Sequence, residues 1–134
     1  MSLKIVIVDD DTVAVYIHQN AIECSALSSL PVIALESEKA LDYILHNKDS
    51  DQNYLVLLDI NMPKVNGWDF LDKISASPIF DKVFVVIVTS SINTRDKEKA
   101  LAYKNIIDFL EKPLEVEGLN RQRLSPEISR FFPD

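Results

Sequence analysis

The stretch YLVLLDINMPKVNGWDFL, residues 54–71, decides the fold class, because an unbroken apolar run leads directly into a carboxylate. The apolar residues from Leu55 to Leu58 precede Asp59, and turn-forming residues follow within a few positions. A continuous apolar run bounded by turn residues is typical of a strand that is covered on both faces, as in parallel sheets. A charge at the end of such a strand lies beside the core and needs a partner, since an unpaired buried charge is costly.

Other apolar runs have the same character: LKIVIV (3–8), PVIAL (31–35), VFVVIV (83–88) and NIIDFL (105–110). The segments between them have helical spacing, carried in the first segment by Val13, Ile17, Ala21 and Cys24. Suitable N-caps are Asp11 or Thr12, Ser37, and Asn93 or Thr94. The alternation predicts a doubly wound, flavodoxin-like α/β fold, in which helices cover both faces of a five-stranded parallel sheet of order 2-1-3-4-5.

The length of 134 residues and a hydrophobic content of 47% fit one compact domain, and no Pro-, Gly- or Ser-rich linker divides the chain. We therefore expect a single domain over residues 1–134, with its alternating core at about 3–114. Gly118 and Pro126 interrupt the last helical segment, since neither favours a helix interior and Pro126 behind Ser125 suits a first helical position. Residues 115–134 are predicted to form an irregular C-terminal helix in two pieces.

The charge pattern excludes several classes of function. A net charge of −7 argues against a nucleic-acid-binding surface, which needs clustered Lys and Arg. No apolar run approaches the roughly 20 residues of a membrane helix, and the N-terminus has no signal-peptide layout. We therefore expect a cytoplasmic protein that binds neither nucleic acid nor membrane. Cys24 is the only cysteine, which rules out a disulfide and favours a small, buried apolar role for its side chain.

Polar side chains follow four of the predicted strands. These residues are Asp9 to Asp11, Asp59, Thr89 to Ser91, and Glu111 with Lys112. The carboxyl ends of parallel strands lie at one edge of the sheet, where ligands bind, so several carboxylates share one cleft there. Like charges at short range need a cation or a shared proton, and oxygen ligands without His or Cys favour Mg²⁺ over zinc. A carboxylate nucleophile at Asp59, Mg²⁺, the Lys112 ammonium and the Thr89 hydroxyl together favour formation of an aspartyl-phosphate.

The motifs IVDDD, LLDINMPKVNGWDFL, VIVTSS and FLEKPL occur in an order and spacing that resemble the receiver domains of two-component response regulators. The resemblance covers about residues 3–114 and implies that Asp59 is the phosphorylation site. It also implies a set of Mg²⁺ ligands, namely Asp10, Asp59 and the backbone carbonyl of Asn61, with Asp9 acting through water.

The same resemblance assigns roles around the phosphorylation site. Thr89 matches the switch hydroxyl, Phe109 the switch aromatic and Lys112 the lysine that contacts the phosphoryl group. A cis bond is implied before Pro113. Asn61 and Ser91 fall where the family tunes the lifetime of the phosphoryl group.

The resemblance implies a signalling switch. A sensor histidine kinase or a histidine phosphotransfer protein would donate the phosphoryl group to Asp59 in a Mg²⁺-dependent reaction, and the altered surface would change binding to a downstream protein. Because the chain ends after this domain, the likeness is to stand-alone receivers, which act by protein contact and catalyse only their own phosphorylation and dephosphorylation. A divided last helix would reshape the face on which many receivers dimerise, so we expect a weak homodimer at most.

Three alternatives stay open. A Mg²⁺-dependent phosphohydrolase would also form an aspartyl-phosphate, but such enzymes have a second Asp two residues after the nucleophile, where this chain has Asn61. A flavodoxin-like flavin binder would need a phosphate cradle in the loop after the first strand, which here is acidic. A receiver that has lost phosphorylation would not be expected to keep the whole set of site residues.

Five other residues have local interpretations. Asn105 stands where many receivers have Gly, and we expect it to adopt left-handed backbone angles. Gly67 is expected to fill a turn that needs positive φ. His18 and His46 are predicted to be solvated, and Trp68 is predicted to cover the edge of the core.

Overall fold

The sheet consists of five parallel strands in the order β2-β1-β3-β4-β5. The computed structural model describes residues 2–47, 51–61, 66–90 and 92–132. The strands are β1 (Ser2–Val8), β2 (Val32–Leu35), β3 (Gln52–Leu58), β4 (Val83–Thr89) and β5 (Ile106–Glu111). β1, β3 and β4 pair on both sides, which explains why their apolar runs are nearly continuous. The predicted fold class and strand order are confirmed.

The helices in the described ranges are α1 (Thr12–Glu23), α2 (Ser37–His46), α3 (Gly67–Ser75), α4 (Thr94–Ala100), α5 (Val116–Leu124) and α6 (Pro126–Ser129). Asp11 caps α1 and Asn93 caps α4 through side-chain oxygens that accept backbone N–H groups, as predicted. Ser37 is wrong as a cap: it is the first residue of α2, behind Glu36, whose side chain makes no capping hydrogen bond. Among the helices of the described ranges, none is both long and apolar enough to span a bilayer.

Two apolar cores lie on opposite faces of the sheet, so the helices cover both faces as predicted. One core joins the sheet to α2 and α3 through side chains such as Ile44 and Phe70. The other joins it to α1, α5 and α6 through side chains such as Ile22, Leu119 and Ile128. The site at the carboxyl edge of the strands is therefore framed by packed helices on each side.

Helix α1 turns a different face to the sheet from the one predicted. Its buried residues are Ala14, His18 and Ile22, spaced four apart. Val13 and Ile17, which were assigned to the apolar face, are 65% and 41% exposed. Cys24 at the end of this helix is also exposed, which contradicts its predicted burial.

The C-terminal helix is divided, as predicted, but not at Gly118. This glycine lies inside α5, and the helix runs on to Leu124. The break comes at Ser125, whose hydroxyl donates to the Gln122 carbonyl at 2.8 Å and precedes Pro126 at the start of α6. α6 then buries Ile128 completely against the second core.

Asn105 lies before β5 and has no positive φ, so the predicted left-handed backbone is wrong. Its side chain is what matters. The Nδ2 atom donates to the carbonyl oxygens of Phe80 at 2.5 Å and Val83 at 2.8 Å, and the residue is only 6% exposed. Asn105 therefore supplies hydrogen bonds to the connection between α3 and β4, which a glycine could not make.

Trp68 covers the edge of the first core, as predicted, and links α3 to the end of α4. Its ring lies 5.7 Å from the Tyr103 ring, and the Lys99 ammonium sits 4.6 Å above it. The Tyr103 hydroxyl donates to Asp72 of α3 at 2.5 Å, and this hydrogen bond raises the pKa of Tyr103 to about 12. The contacts of Trp68 and Tyr103 hold α4, which buries only Ala100, beside α3.

Candidate functional site

The polar residues that follow the strands meet at one edge of the sheet. Asp9 follows β1, Asp59 follows β3, Thr89 ends β4, and Lys112 follows β5. Two backbone hydrogen bonds fix these ends to one another: Asp59 N–H donates to the Val8 carbonyl at 3.0 Å, and Lys112 N–H donates to the Thr89 carbonyl at 2.7 Å. The predicted convergence of carboxylates, hydroxyl and ammonium thus follows directly from the parallel strand register.

Lys112 joins the two carboxylates. Its Nζ atom lies 2.8 Å from Asp9 Oδ2 and 3.4 Å from Asp59 Oδ2. Burial is the largest single influence on this ammonium and acts to lower its pKa, but the hydrogen bond to Asp9 and the attraction of both carboxylates outweigh it. The pKa of Lys112 is therefore raised, and the side chain is a fixed positive charge at neutral pH.

The remaining oxygen of each carboxylate is held by backbone. Asp9 Oδ1 accepts from the Asp11 N–H at 2.9 Å, and Asp59 Oδ1 accepts from the Asn61 N–H at 2.9 Å. Each carboxylate is thus oriented by one backbone N–H group and one shared ammonium. A carboxylate held in this way needs little reorganisation before it reacts.

Thr89 is fully buried at the end of β4, and its hydroxyl contacts a second site residue. Asn61 Nδ2 donates to Thr89 Oγ1 at 3.2 Å. The family resemblance implied a role for the backbone carbonyl of Asn61, and nothing in the sequence indicated this side-chain contact, which depends on how the end of β3 faces the end of β4.

Phe109 lies on β5 directly beside Ile87 of β4. It is half-buried and packs against the first core, on the same face of the sheet as Thr89, which is two residues beyond Ile87. The predicted pair of switch residues therefore shares one face of two neighbouring strands. Ser91, to which the resemblance assigns a role in the lifetime of the phosphoryl group, lies outside the described residues, as do Met62 and Pro63.

Gly67 is explained by close packing and not by its backbone angles, since it has no positive φ. A Cβ atom at this position would lie 2.6 Å from Ile60 Cα and 3.1 Å from the Asp59 carbonyl oxygen. Its N–H also donates to the Ile60 carbonyl at 3.2 Å. The start of α3 thus lies against the backbone that carries Asp59, and only glycine allows this approach.

The oxygen donors in the site are of the kind that Mg²⁺ prefers. Asp9 and Asp59 converge, whereas Asp10 is exposed at the end of β1. Within residues 2–47, 51–61, 66–90 and 92–132, no three acidic, His or Cys side chains form a group that could hold a metal ion. A metal here would therefore need backbone carbonyl or water ligands beside the carboxylates. The Lys112–Pro113 peptide bond is cis, as the resemblance implied.

His18 is the residue on which the sequence interpretation failed most clearly. It is only 2% exposed, and its Nδ1 atom has no hydrogen-bond partner among the residues that the structure describes. Burial lowers the pKa of His18, against the opposing attraction of Asp9. His46, by contrast, is exposed, as predicted.

Comparison with known proteins gives a consistent result. The sequence profile of the response regulator receiver domain matches residues 5–122. Two similar sequences are the probable methanogenesis regulatory protein FilR2 of Methanothrix harundinacea and the two-component response regulator ORR1 of Oryza sativa. FilR2 is 30% identical over 87% of this chain and 76% of its own length, and ORR1 is 33% identical over 90% of this chain. The chain spans only 53% of ORR1.

The fold has a close counterpart among solved structures. A response regulator receiver protein from Dyadobacter fermentans superposes with a TM-score of 0.81 and 24% identity, covering 99% of this chain and 100% of that one. This likeness concerns the fold, while the profile match and the sequence relatives concern the family. The profile match and the sequence relatives agree with the strand order, with the contacts of Lys112 to Asp9 and Asp59, and with the cis peptide bond. The chain therefore belongs to the response regulator receiver domain family.

Proposed function

We propose that the protein is a phosphoacceptor receiver in which Asp59 takes the phosphoryl group. The observation that supports this most directly is the position of Lys112, whose ammonium lies 3.4 Å from Asp59 Oδ2. A cation at this distance can reach the oxygens of a group bound to Asp59 and neutralise the charge that develops on them. The raised pKa of Lys112 keeps this charge in place at neutral pH.

In the proposed transfer, a carboxylate oxygen of Asp59 attacks the phosphorus of a phosphohistidine. A phosphorus–oxygen bond forms, the phosphorus–nitrogen bond breaks, and the electron pair stays on the imidazole nitrogen of the donor. Asn61 N–H orients the carboxylate, Lys112 attracts the phosphoryl oxygens, and Thr89 donates its hydroxyl to one of them once the group is in place. The donor is a sensor histidine kinase or a histidine phosphotransfer protein.

We assign Asp10, Asp59 and the backbone carbonyl of Asn61 as ligands of Mg²⁺, with Asp9 contributing through water. The all-oxygen donor set fits this ion, which keeps several waters and takes one or two carboxylates. Mg²⁺ bound there supplies positive charge to the transferring phosphoryl group. Two of the carboxylates, those of Asp9 and Asp59, are already held side by side by Lys112.

The signal leaves the domain by protein contact in this proposal. Thr89 and Phe109 change position together when Asp59 is phosphorylated, and the new surface binds a downstream protein. Helix α1 begins three residues after Asp9 and exposes Val13, Tyr16 and Ile17, an apolar surface beside the site that a protein partner could cover. We further propose that residues 1–134 act as one cytoplasmic domain, with no nucleic-acid contact and at most a weak homodimer.

A phosphohydrolase remains the main alternative, and the contacts of Asn61 argue against it. Such an enzyme needs a general acid near the acceptor, and an amide cannot donate a proton in that way. In this protein the Asn61 amide donates a hydrogen bond to Thr89 instead. We therefore assign no separate substrate to the site.

The test is intact mass after incubation with acetyl phosphate, with and without Mg²⁺. The natural protein should gain one phosphoryl group only with Mg²⁺, and Asp59→Asn should gain none. Asp81→Asn is a matched control, because Asp81 is an exposed aspartate in the Phe80–Lys82 turn before β4, remote from Asp59 at the carboxyl end of β3. Equal phosphorylation of Asp59→Asn, or none in the natural protein under any condition, would exclude Asp59 as the acceptor.

A further inference from the structure

The dipeptide Asn66–Gly67 at the start of α3 places a side-chain amide next to a backbone nitrogen that no Cβ atom shields. No other asparagine of the sequence precedes a glycine, and Asn66 is exposed. We propose that Asn66 is a site of spontaneous deamidation whose rate is limited by the fold at the start of α3. This modification is independent of phosphoryl transfer and does not rest on the proposed function.

The reaction needs only water and a base. The Gly67 nitrogen loses its proton to hydroxide and attacks Cγ of Asn66, so that a new nitrogen–carbon bond closes a succinimide ring. The bond from Cγ to Nδ2 breaks, and the leaving nitrogen takes a proton from water and departs as ammonia. A second water opens the ring at either carbonyl and leaves aspartate or isoaspartate at position 66. The net change replaces NH₂ by OH, and the resulting gain in mass identifies the product.

The native conformation opposes closure of this ring. Asn66 Oδ1 accepts from the Asp69 N–H at 3.0 Å, which caps α3, and the Gly67 N–H donates to the Ile60 carbonyl at 3.2 Å. Closure requires the Asn66 Cβ and the Gly67 nitrogen to be eclipsed about the Cα–C bond, and at the observed ψ of 164° they are not. The peptide plane must therefore rotate, which breaks the Gly67 hydrogen bond and turns Asn66 out of its capping position.

The cap also has an effect in the other direction. A hydrogen bond to Oδ1 polarises the side-chain carbonyl, which favours attack on Cγ. Polarisation has no effect until the nitrogen can reach Cγ, so the restraint on the peptide plane dominates. The glycine itself is required by the fold, because a Cβ atom at Gly67 would lie 2.6 Å from Ile60 Cα. The packing of α3 on the end of β3 therefore retains the residue that makes Asn66 labile.

Asn93 is a matched control within the same chain. It caps α4 as Asn66 caps α3, with Oδ1 accepting from the Asp96 N–H at 2.8 Å and a ψ of 161°. The residue that follows it is Thr94, whose branched Cβ crowds the backbone nitrogen, whereas Gly67 leaves that nitrogen open. The two asparagines thus share a cap geometry and differ in the nucleophile.

The test measures deamidation of the natural chain at mildly alkaline pH, folded and unfolded in guanidinium chloride. After trypsin digestion, the peptides 65–73 and 83–95 report on Asn66 and Asn93 by mass. In the unfolded chain, Asn66 should deamidate faster than Asn93. In the folded protein, we expect the rate at Asn66 to be about tenfold to several hundredfold lower, the factor for losing one N-cap bond and one backbone hydrogen bond. Asn66→Ser, which keeps a capping hydroxyl, should gain no mass in peptide 65–73.

Two results would overturn the site or its restraint. Deamidation of the unfolded chain that is no faster at Asn66 than at Asn93 would remove the site. A difference between the folded and unfolded rates of less than about tenfold would remove the restraint by the fold. Slowing beyond about a thousandfold would show that the whole domain must unfold first, which would overturn a restraint located at the start of α3.

Discussion

Replacing Asn105 with Gly should destabilise this protein strongly, although Gly is the residue that many receiver domains carry there. The Asn105 side chain donates to the carbonyl oxygens of Phe80 and Val83, and the residue is 6% exposed. Each lost hydrogen bond costs about 1 kcal/mol. The added backbone freedom of Gly costs roughly 0.5–1 kcal/mol more. The expected loss in the free energy of unfolding is therefore about 2–4 kcal/mol.

Urea unfolding followed by far-UV circular dichroism measures this loss. With a denaturant dependence of about 2 kcal/mol per molar urea, the midpoint should fall by about 1–2 M. Two controls isolate the hydrogen bonds. Asn105→Asp keeps the size but has no protons to donate, so it should be at least as destabilised. Asn20→Gly, at an exposed position in α1, should lose less than about 1 kcal/mol for the backbone change. An Asn105→Gly protein no less stable than Asn20→Gly, or an Asn105→Asp protein as stable as the natural one, would refute the reasoning.

Three other substitutions give separate tests. Burial lowers the pKa of His18 below its ordinary 6.5, so the unfolded chain takes up a proton first and stability is lost as pH falls below that value. His18→Leu should remove this loss and stabilise the protein by about 1 kcal/mol, measured by urea unfolding at pH 7.5 and 5.5; an unchanged pH dependence would contradict this. Gly67→Ala should cost about 1–3 kcal/mol and slow phosphorylation, because its Cβ meets the backbone of Ile60 at 2.6 Å. Gly118→Ala should stay within about 1 kcal/mol of the natural protein, since its Cβ meets only the movable end of Leu110 at 2.9 Å; equal thermal shifts for both would count against the packing argument.

The sheet could be predicted because its sequence signal is local. Each strand is a run of apolar residues, and parallel pairing leaves one option for where the carboxyl ends go. Asp9, Asp59, Thr89 and Lys112 meet for that reason, so most of the candidate site followed from the strand ends alone.

Helix α1 was predicted less well because two of its faces are apolar. The face that carries Val13 and Ile17 is the more hydrophobic of the two and was predicted to be buried. The helix instead buries Ala14 and Ile22, with His18 between them. Spacing by four residues fits both stripes, and only the packing of the helix on the sheet selects between them. The predictions for Gly67 and Asn105 were wrong for another reason, because both assumed unusual backbone angles. Close packing explains Gly67, and side-chain hydrogen bonds explain Asn105.

Trp68 gives the protein an optical probe of its own. It is the only tryptophan, so the indole emission comes from a single place in the fold. The indole contacts the Tyr103 ring and the Lys99 ammonium, and Trp68 directly follows the glycine that packs on the Asp59 carbonyl. Any event that shifts this backbone or separates α3 from α4 changes the charge and the ring next to the indole. Trp68 fluorescence of the unlabelled natural protein can therefore be followed in real time as donors, metals or inhibitors are added.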